Sequence, residues 1–157
     1  MAVSTTVPIA ASSQLGDYEL LAWRGLLRTH ATLVKALDAE LDADHGLPLV
    51  SYEVLLYLDG AQGRQMRMCD LATAVQLSRS GLTRLVDRLE RQGLIERVSC
   101  AHDARGSYAK LTPEGRARLE AASVTHLASI RRHFLDRFAA HELELLARYW
   151  DRIVPRC

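Results

Sequence analysis

No stretch of about 18 apolar residues occurs in the 157-residue sequence, so no membrane-spanning helix is expected. The opening MAVSTTVPIAASSQLG lacks a basic segment followed by an apolar one, so no signal peptide is expected and residues 1–16 read as a short disordered arm. Cysteine is scarce. Cys69, Cys100 and Cys157 are odd in number and widely spread, which argues against a disulfide framework and for a reducing cytoplasm. A Gly-rich phosphate loop, a His-Glu-x-x-His pair, paired metal cysteines and a nucleophile elbow are all missing. The expectation is therefore a protein that is not an enzyme and needs no cofactor or metal. His126 and His133 share a helix face but stand two turns, roughly 10 Å, apart, too far to hold one ion as a pair. There is no internal repeat and no low-complexity linker.

What is present describes one globular domain of ordinary size. Hydrophobic residues make up 48% and charged residues 25% of the chain, enough apolar content for a sizeable core. The net charge of +1 is modest for a nucleic-acid binder, but the charges are segregated. Between Asp17 and Asp44 acids outnumber bases, with Asp38, Glu40, Asp42 and Asp44 crowded together. Between Arg79 and Arg105 the balance reverses through Arg79, Arg84, Arg88, Arg91, Arg97 and Arg105. Such a distribution either presents one basic face or reflects solvated helix surfaces.

Periodicity divides the chain into helices and one hairpin. Asp17 is placed to cap a long first helix, on which Leu26, His30, Leu33, Val34, Leu37 and Leu41 form one stripe until Gly46 and Pro48 end it. Ser51 caps a second helix that Gly60 ends, and Ala61–Arg67 reads as a polar connection. Leu71, Ala72, Val75 and Leu77 suit a short helix and turn. Ser78 then caps a helix over Arg79–Gln92 with Leu82, Leu85, Val86 and Leu89 on one face. After Gly93 the period shortens: Leu94–Val98 and Tyr108–Leu111 read as two strands around a polar loop, Cys100–Ser107. Two helices joined by a tight turn and followed by a hairpin outline a winged helix-turn-helix. Thr112 and Pro113 start a further helix running to about Phe138, and a last one spans His141 to about Ile153.

On the helix from Arg79, the side opposite the leucines carries Ser80, Arg84, Asp87 and Arg91, flanked by Thr83 and Arg88. Small hydroxyls allow close approach to base edges, and arginines can reach guanine acceptors or phosphates. Asp87 would repel a DNA backbone, but Arg84 and Arg91 stand three and four residues away, where it could orient one of them. In the loop, Arg105 beside Gly106 suits a guanidinium laid into a minor groove, with Asp103 supporting the wing. A salt-bridged surface helix and an ordinary hairpin turn are the competing readings.

The stretch from Met68 to Gly115, MCDLATAVQLSRSGLTRLVDRLERQGLIERVSCAHDARGSYAKLTPEG, closely resembles the multiple-antibiotic-resistance regulator (MarR) family of bacterial repressors. The markers are the Ser-Arg-Ser-Gly-Leu-Thr-Arg-Leu-Val-Asp-Arg-Leu-Glu run, Gly-Leu-Ile-Glu-Arg, the Asp-x-Arg wing and Leu-Thr-Pro-Glu-Gly. One departure is Cys69, where a helix-capping Ser or Thr is commoner. The resemblance implies a mainly α fold with a small β-hairpin wing, a winged helix-turn-helix with N- and C-terminal dimerisation helices. Residues 17–155 would form a single domain, with 17–46 and 113–155 dimerising and 49–112 as the DNA-binding unit. It implies a homodimer that reads palindromic operators in double-stranded DNA through Ser78, Arg79, Ser80, Thr83, Arg84, Arg88 and Arg105, with no membrane partner. It also implies a crevice between the dimerisation helices and the winged unit for a small aromatic or anionic effector. Trp23, Arg24, Arg28 and His30 are the candidate residues there, an arginine near a tryptophan suiting a planar anion. Packing at a dimer interface is the alternative role for them. A thiol-based regulator sensing through Cys69 or Cys100, and a helical interaction module that binds no DNA, are the competing functions.

Overall fold

The computed structural model describes residues 15–100 and 103–154, with side chains at 15–99 and 107–154. Six α-helices and three short strands follow one another: α1 (Asp17–His45), α2 (Leu49–Gly60), β1 (Gln65–Arg67), α3 (Met68–Ala74), α4 (Arg79–Arg91), β2 (Ile95–Cys100), β3 (Asp103–Leu111), α5 (Pro113–His133) and α6 (Ala140–Ile153). Helices dominate, and the strands form a single antiparallel sheet in the order β1-β3-β2. The winged helix-turn-helix architecture read from the sequence is the one observed.

Local chemistry explains most boundaries. Gly46 ends α1 in the left-handed region at φ 58°, where its amide reaches back to the Asp42 carbonyl. The Ser78 hydroxyl accepts from Gly81 N at 3.1 Å at the start of α4, and Thr112 Oγ1 accepts from Gly115 N at 3.0 Å ahead of Pro113. Gly115 has a second role. A Cβ there would stand 2.0 Å from the Leu94 carbonyl oxygen, so only glycine lets α5 approach the end of the α4–β2 turn this closely.

Several boundaries differ from expectation. Gly16, not Asp17, caps α1, because the Glu19 carboxylate accepts the Gly16 amide at 2.7 Å and leaves Asp17 inside the first turn. Ser51 is not a cap: α2 begins at Leu49, whose amide is held by Asp38 Oδ1 at 2.7 Å, and Ser51 is buried in the helix. Part of the Ala61–Arg67 connection is a strand, since Gln65–Arg67 pair with Tyr108–Lys110 of β3. The hairpin strands reach further toward each other than the expected loop allows. Helix α5 stops at His133, and Phe134 leaves helical geometry. A single tight turn, Leu135–Arg137, keeps the Phe134 and Phe138 rings 5.2 Å apart, which mimics helical spacing in the sequence.

The core joins α2, α3, α4, the sheet and the ends of α1 and α5. Leu41, Leu47, Leu55, Leu58, Leu71, Leu82, Leu89 and Ile95 are essentially inaccessible. Truncating one of these to alanine is expected to cost about 2–5 kcal/mol. The N-terminal half of α1 and all of α6 lie outside this core. No residue of α6 is buried, and Leu21 (67% exposed), Trp150 (42%) and Ile153 (68%) face outward. Among the described residues, no helix is long and apolar enough to cross a membrane.

Candidate nucleic-acid interface

Helix α4 is strongly amphipathic, with its leucine face buried and its charged face exposed. Leu82, Leu85, Val86 and Leu89 are buried, which fixes its rotation and turns Arg79, Ser80, Thr83, Arg84 and Arg91 to solvent. Ser78 and Ser80 are tied at the N-terminus, their hydroxyl oxygens 3.3 Å apart. Thr83 Oγ1 donates to the Arg79 carbonyl at 2.9 Å, which leaves the exposed hydroxyl free to accept. Among the described residues Arg79 and Arg84 have no counter-charge, so this end of the helix presents two uncommitted guanidiniums beside small hydroxyls.

Arg88 is employed differently. Its Nη2 donates to Ser51 Oγ at 3.0 Å, tying α4 to α2. Asp87 pairs with neither Arg84 nor Arg91. Arg97 of β2 takes it instead, at 2.6 Å, and also reaches Glu90 at 3.6 Å and the Thr83 carbonyl at 3.5 Å. The Arg97 amide donates to Glu90 Oε1 at 3.1 Å. One arginine thus neutralises Asp87 and fastens the wing to α4; a helix-only spacing argument could not find it, because the partner arrives from a strand.

On the other edge, Arg67 Nε donates to the Tyr108 hydroxyl at 2.8 Å and stacks 5.6 Å from its ring centre, binding β1 to β3. Asp103 and Arg105 belong to β3, but their side chains, like His102, lie outside the described residues.

The four candidate effector residues do not converge. Trp23 (53% exposed), Arg24 and Arg28 are open to solvent on α1, and His30 lines a cavity between α1, α2 and the α3–α4 turn. Glu53 and Tyr57, missed in the sequence because they sit within an unremarkable α2, line the same cavity. Cys69 is exposed in the first turn of α3, with Sγ 3.4 Å from Asp70 Oδ1. His133 Nε2 lies 2.7 Å from Glu40 Oε1, and the His126 ring packs against Tyr52 at 4.6 Å with a 45° tilt, so both histidines have packing or pairing roles.

The model of the MarR family matches residues 45–106, the span from the end of α1 to the wing. The HTH-type transcriptional repressor YetL of Bacillus subtilis (strain 168) is 31% identical over 114 residues, covering 73% of this chain and 68% of that protein. The crystal structure of AbsC, a MarR family transcriptional regulator from Streptomyces coelicolor, superposes with a TM-score of 0.84 at 37% identity, over 90% of this chain and 95% of that one. The chain belongs to the MarR family. As a MarR-family protein it is a transcriptional regulator, and the relatives named here are regulators rather than enzymes. A second MarR structure, Sco3205 from Streptomyces coelicolor in complex with DNA, has a TM-score of 0.84 at 32% identity and covers 90% of this chain and 89% of that one.

Proposed function

We propose that this MarR-family regulator acts as a homodimer that inserts α4 into the major groove of a palindromic operator, with Arg105 of each wing in the flanking minor groove. The observation that carries the reading is the charge arrangement on α4. Arg79 and Arg84 stand free among the described residues, and Arg97 cancels the carboxylate that would oppose DNA. An exposed Ser80–Thr83–Arg84 edge on a rigidly packed helix is suited to base edges and phosphates. The DNA complex of Sco3205 gives the docking a structural precedent in the family.

The dimer reading rests on the uncovered apolar faces of α1 and α6. A 14-residue amphipathic helix with no buried residue is unstable alone in water and gains its stability from a partner surface. The division of labour follows: residues 17–46 and 113–155 hold two copies together, and residues 49–112 meet DNA. Release by a small effector requires a ligand that binds better when the two α4 helices are misplaced for DNA. A cytoplasmic location follows from this role.

A gel-shift titration of the full chain against the DNA upstream of its own gene, repeated at rising salt, tests the proposal. A specific shift that weakens steeply with salt supports it. A chain that shifts no DNA at any salt would be the non-DNA-binding interaction module instead.

A further inference from the structure

Two cavities lie against α2 and share Tyr57. The smaller, about 240 Å³, is lined by His30, Glu53, Tyr57 and the α3–α4 turn at Gln76. The larger, about 460 Å³, is lined by Leu56, Tyr57, Gly60, Ala61 and Met66. The lining of the first is mainly polar and that of the second mainly apolar, and Tyr57 borders both. Glu53 and Tyr57 stand four residues apart on α2 and so face the same side.

Glu53 sets the sign of the ligand. It is half-buried and has neither an ion pair nor a hydrogen bond among the described residues. Burial without a compensating cation pushes its carboxyl up from the ordinary value. A carboxylate that has lost water and gained no donor favours a cationic hydrogen-bond donor and opposes an anion. The ring of Tyr57 beside it offers a face to the same cation. Leu56 and Met66 offer dry surface to an apolar body.

We propose that the two cavities on either side of Tyr57 together take a small apolar amine, its ammonium on the Glu53 carboxylate and against Tyr57, its apolar part along Leu56 and Met66. The inference rests on the effector-release reading and supplies its ligand class, a cation rather than the aromatic anion that the family resemblance implies at Trp23 and Arg28. The site is placed for coupling. Gln76 holds a left-handed backbone at φ 54° and stands two residues before Ser78, the cap of α4. An ammonium lodged at Glu53 occupies the cavity that His30 of α1 and Gln76 also line, so its binding is expected to bias the position of α4 relative to α1.

Benzylamine, benzyl alcohol and benzoate have similar size and differ in charge at the head group, so isothermal calorimetry of each against the full chain reads the site without DNA. The expected result is saturable binding of benzylamine, at least about tenfold tighter than either analogue. The E53Q variant should lose about tenfold or more in benzylamine affinity while keeping the parent's operator binding in the absence of ligand. Benzylamine should then weaken operator binding of the parent and leave that of E53Q unchanged. Benzoate or benzyl alcohol binding as tightly as benzylamine overturns the proposal, and this comparison needs no variant. Equal benzylamine affinity in parent and E53Q overturns it as well, as does an amine that binds without altering operator affinity. A parent that binds benzylamine through Glu53 yet shifts no DNA supports the site and separately contradicts the proposed operator binding.

Discussion

Asp87 of α4 and Arg97 of β2 meet at 2.6 Å, an ion pair that ties the helix facing solvent to the strand that carries the wing. Both side chains are partly exposed, and an isolated pair of this kind contributes about 0–1 kcal/mol. Its larger effect is on orientation, because Arg97 also holds Glu90 and the Thr83 carbonyl. Arg97→Ala should therefore lower stability only slightly, by about 1 kcal/mol in urea unfolding, yet weaken operator binding by an order of magnitude. The loss has two parts, a loosened wing and an uncompensated Asp87 near phosphates. Asp87→Asn placed in the Arg97→Ala background should recover some of the affinity. Equal affinity of the single and double variants would show that the exposed carboxylate is irrelevant.

Gly115 offers a sharper structural test. A methyl group there meets the Leu94 backbone oxygen at 2.0 Å, and backbone cannot yield as a flexible side chain does. Gly115→Ala should destabilise the chain by about 2–4 kcal/mol, the range of strong overpacking. Denaturant unfolding at fixed protein concentration measures it. A loss below about 0.5 kcal/mol, the scale of ordinary surface changes, would mean that α5 is not seated this closely.

Glu40 makes the acid limb of the stability profile predictable. Hydrogen bonds from His133, then Ser129 and Arg132, hold its carboxyl down at about 2 rather than the ordinary 4.5, outweighing partial burial. A carboxyl depressed in the folded state contributes stability that is present above its unfolded value and is lost as the pH falls toward its folded one. The contribution should therefore be complete above about pH 4.5 and decline between 4.5 and 2. Glu40→Gln should be less stable than the parent at neutral pH, with the gap closing across that window. A gap independent of pH would contradict the pairing of α1 with α5 described here.

Self-association follows from α1 and α6. Sedimentation at micromolar concentration should show a dimer, and Trp150→Asp together with Ile153→Asp should shift it to monomer. These residues are 42% and 68% exposed in the single chain, so the changes should not disturb the fold of residues 49–112. A well-folded monomer of the parent would remove the basis for reading a palindrome.

Local signals carried much of the fold. Gly46, Ser78 and the Thr112–Pro113 pair mark helix ends through interactions within four residues, and the leucine spacing of α4 fixes both its face and the side that turns outward. Tertiary partners were not legible. Gln65–Arg67 is too short to show alternation and becomes a strand only by pairing with β3. Asp38 replaces Ser51 as the group that starts α2, from eleven residues away. Asp87 finds Arg97 across the helix–strand turn, although spacing along α4 suggests Arg84 or Arg91, and Arg88 finds Ser51 on α2. The cavity beside Glu53 depends on three elements meeting, a property of no single stretch of sequence.

If the free edge of α4 reads bases, Arg84 is the side chain whose loss shows it. Fluorescence anisotropy should be measured for the parent and Arg84→Ala on a duplex from upstream of the gene and on a scrambled duplex, at several salt concentrations. Arg84→Ala should lose roughly 1–3 kcal/mol on the upstream duplex and much less on the scrambled one, so that the preference between them narrows. Equal losses on both duplexes, or no loss on either, would contradict base reading by α4.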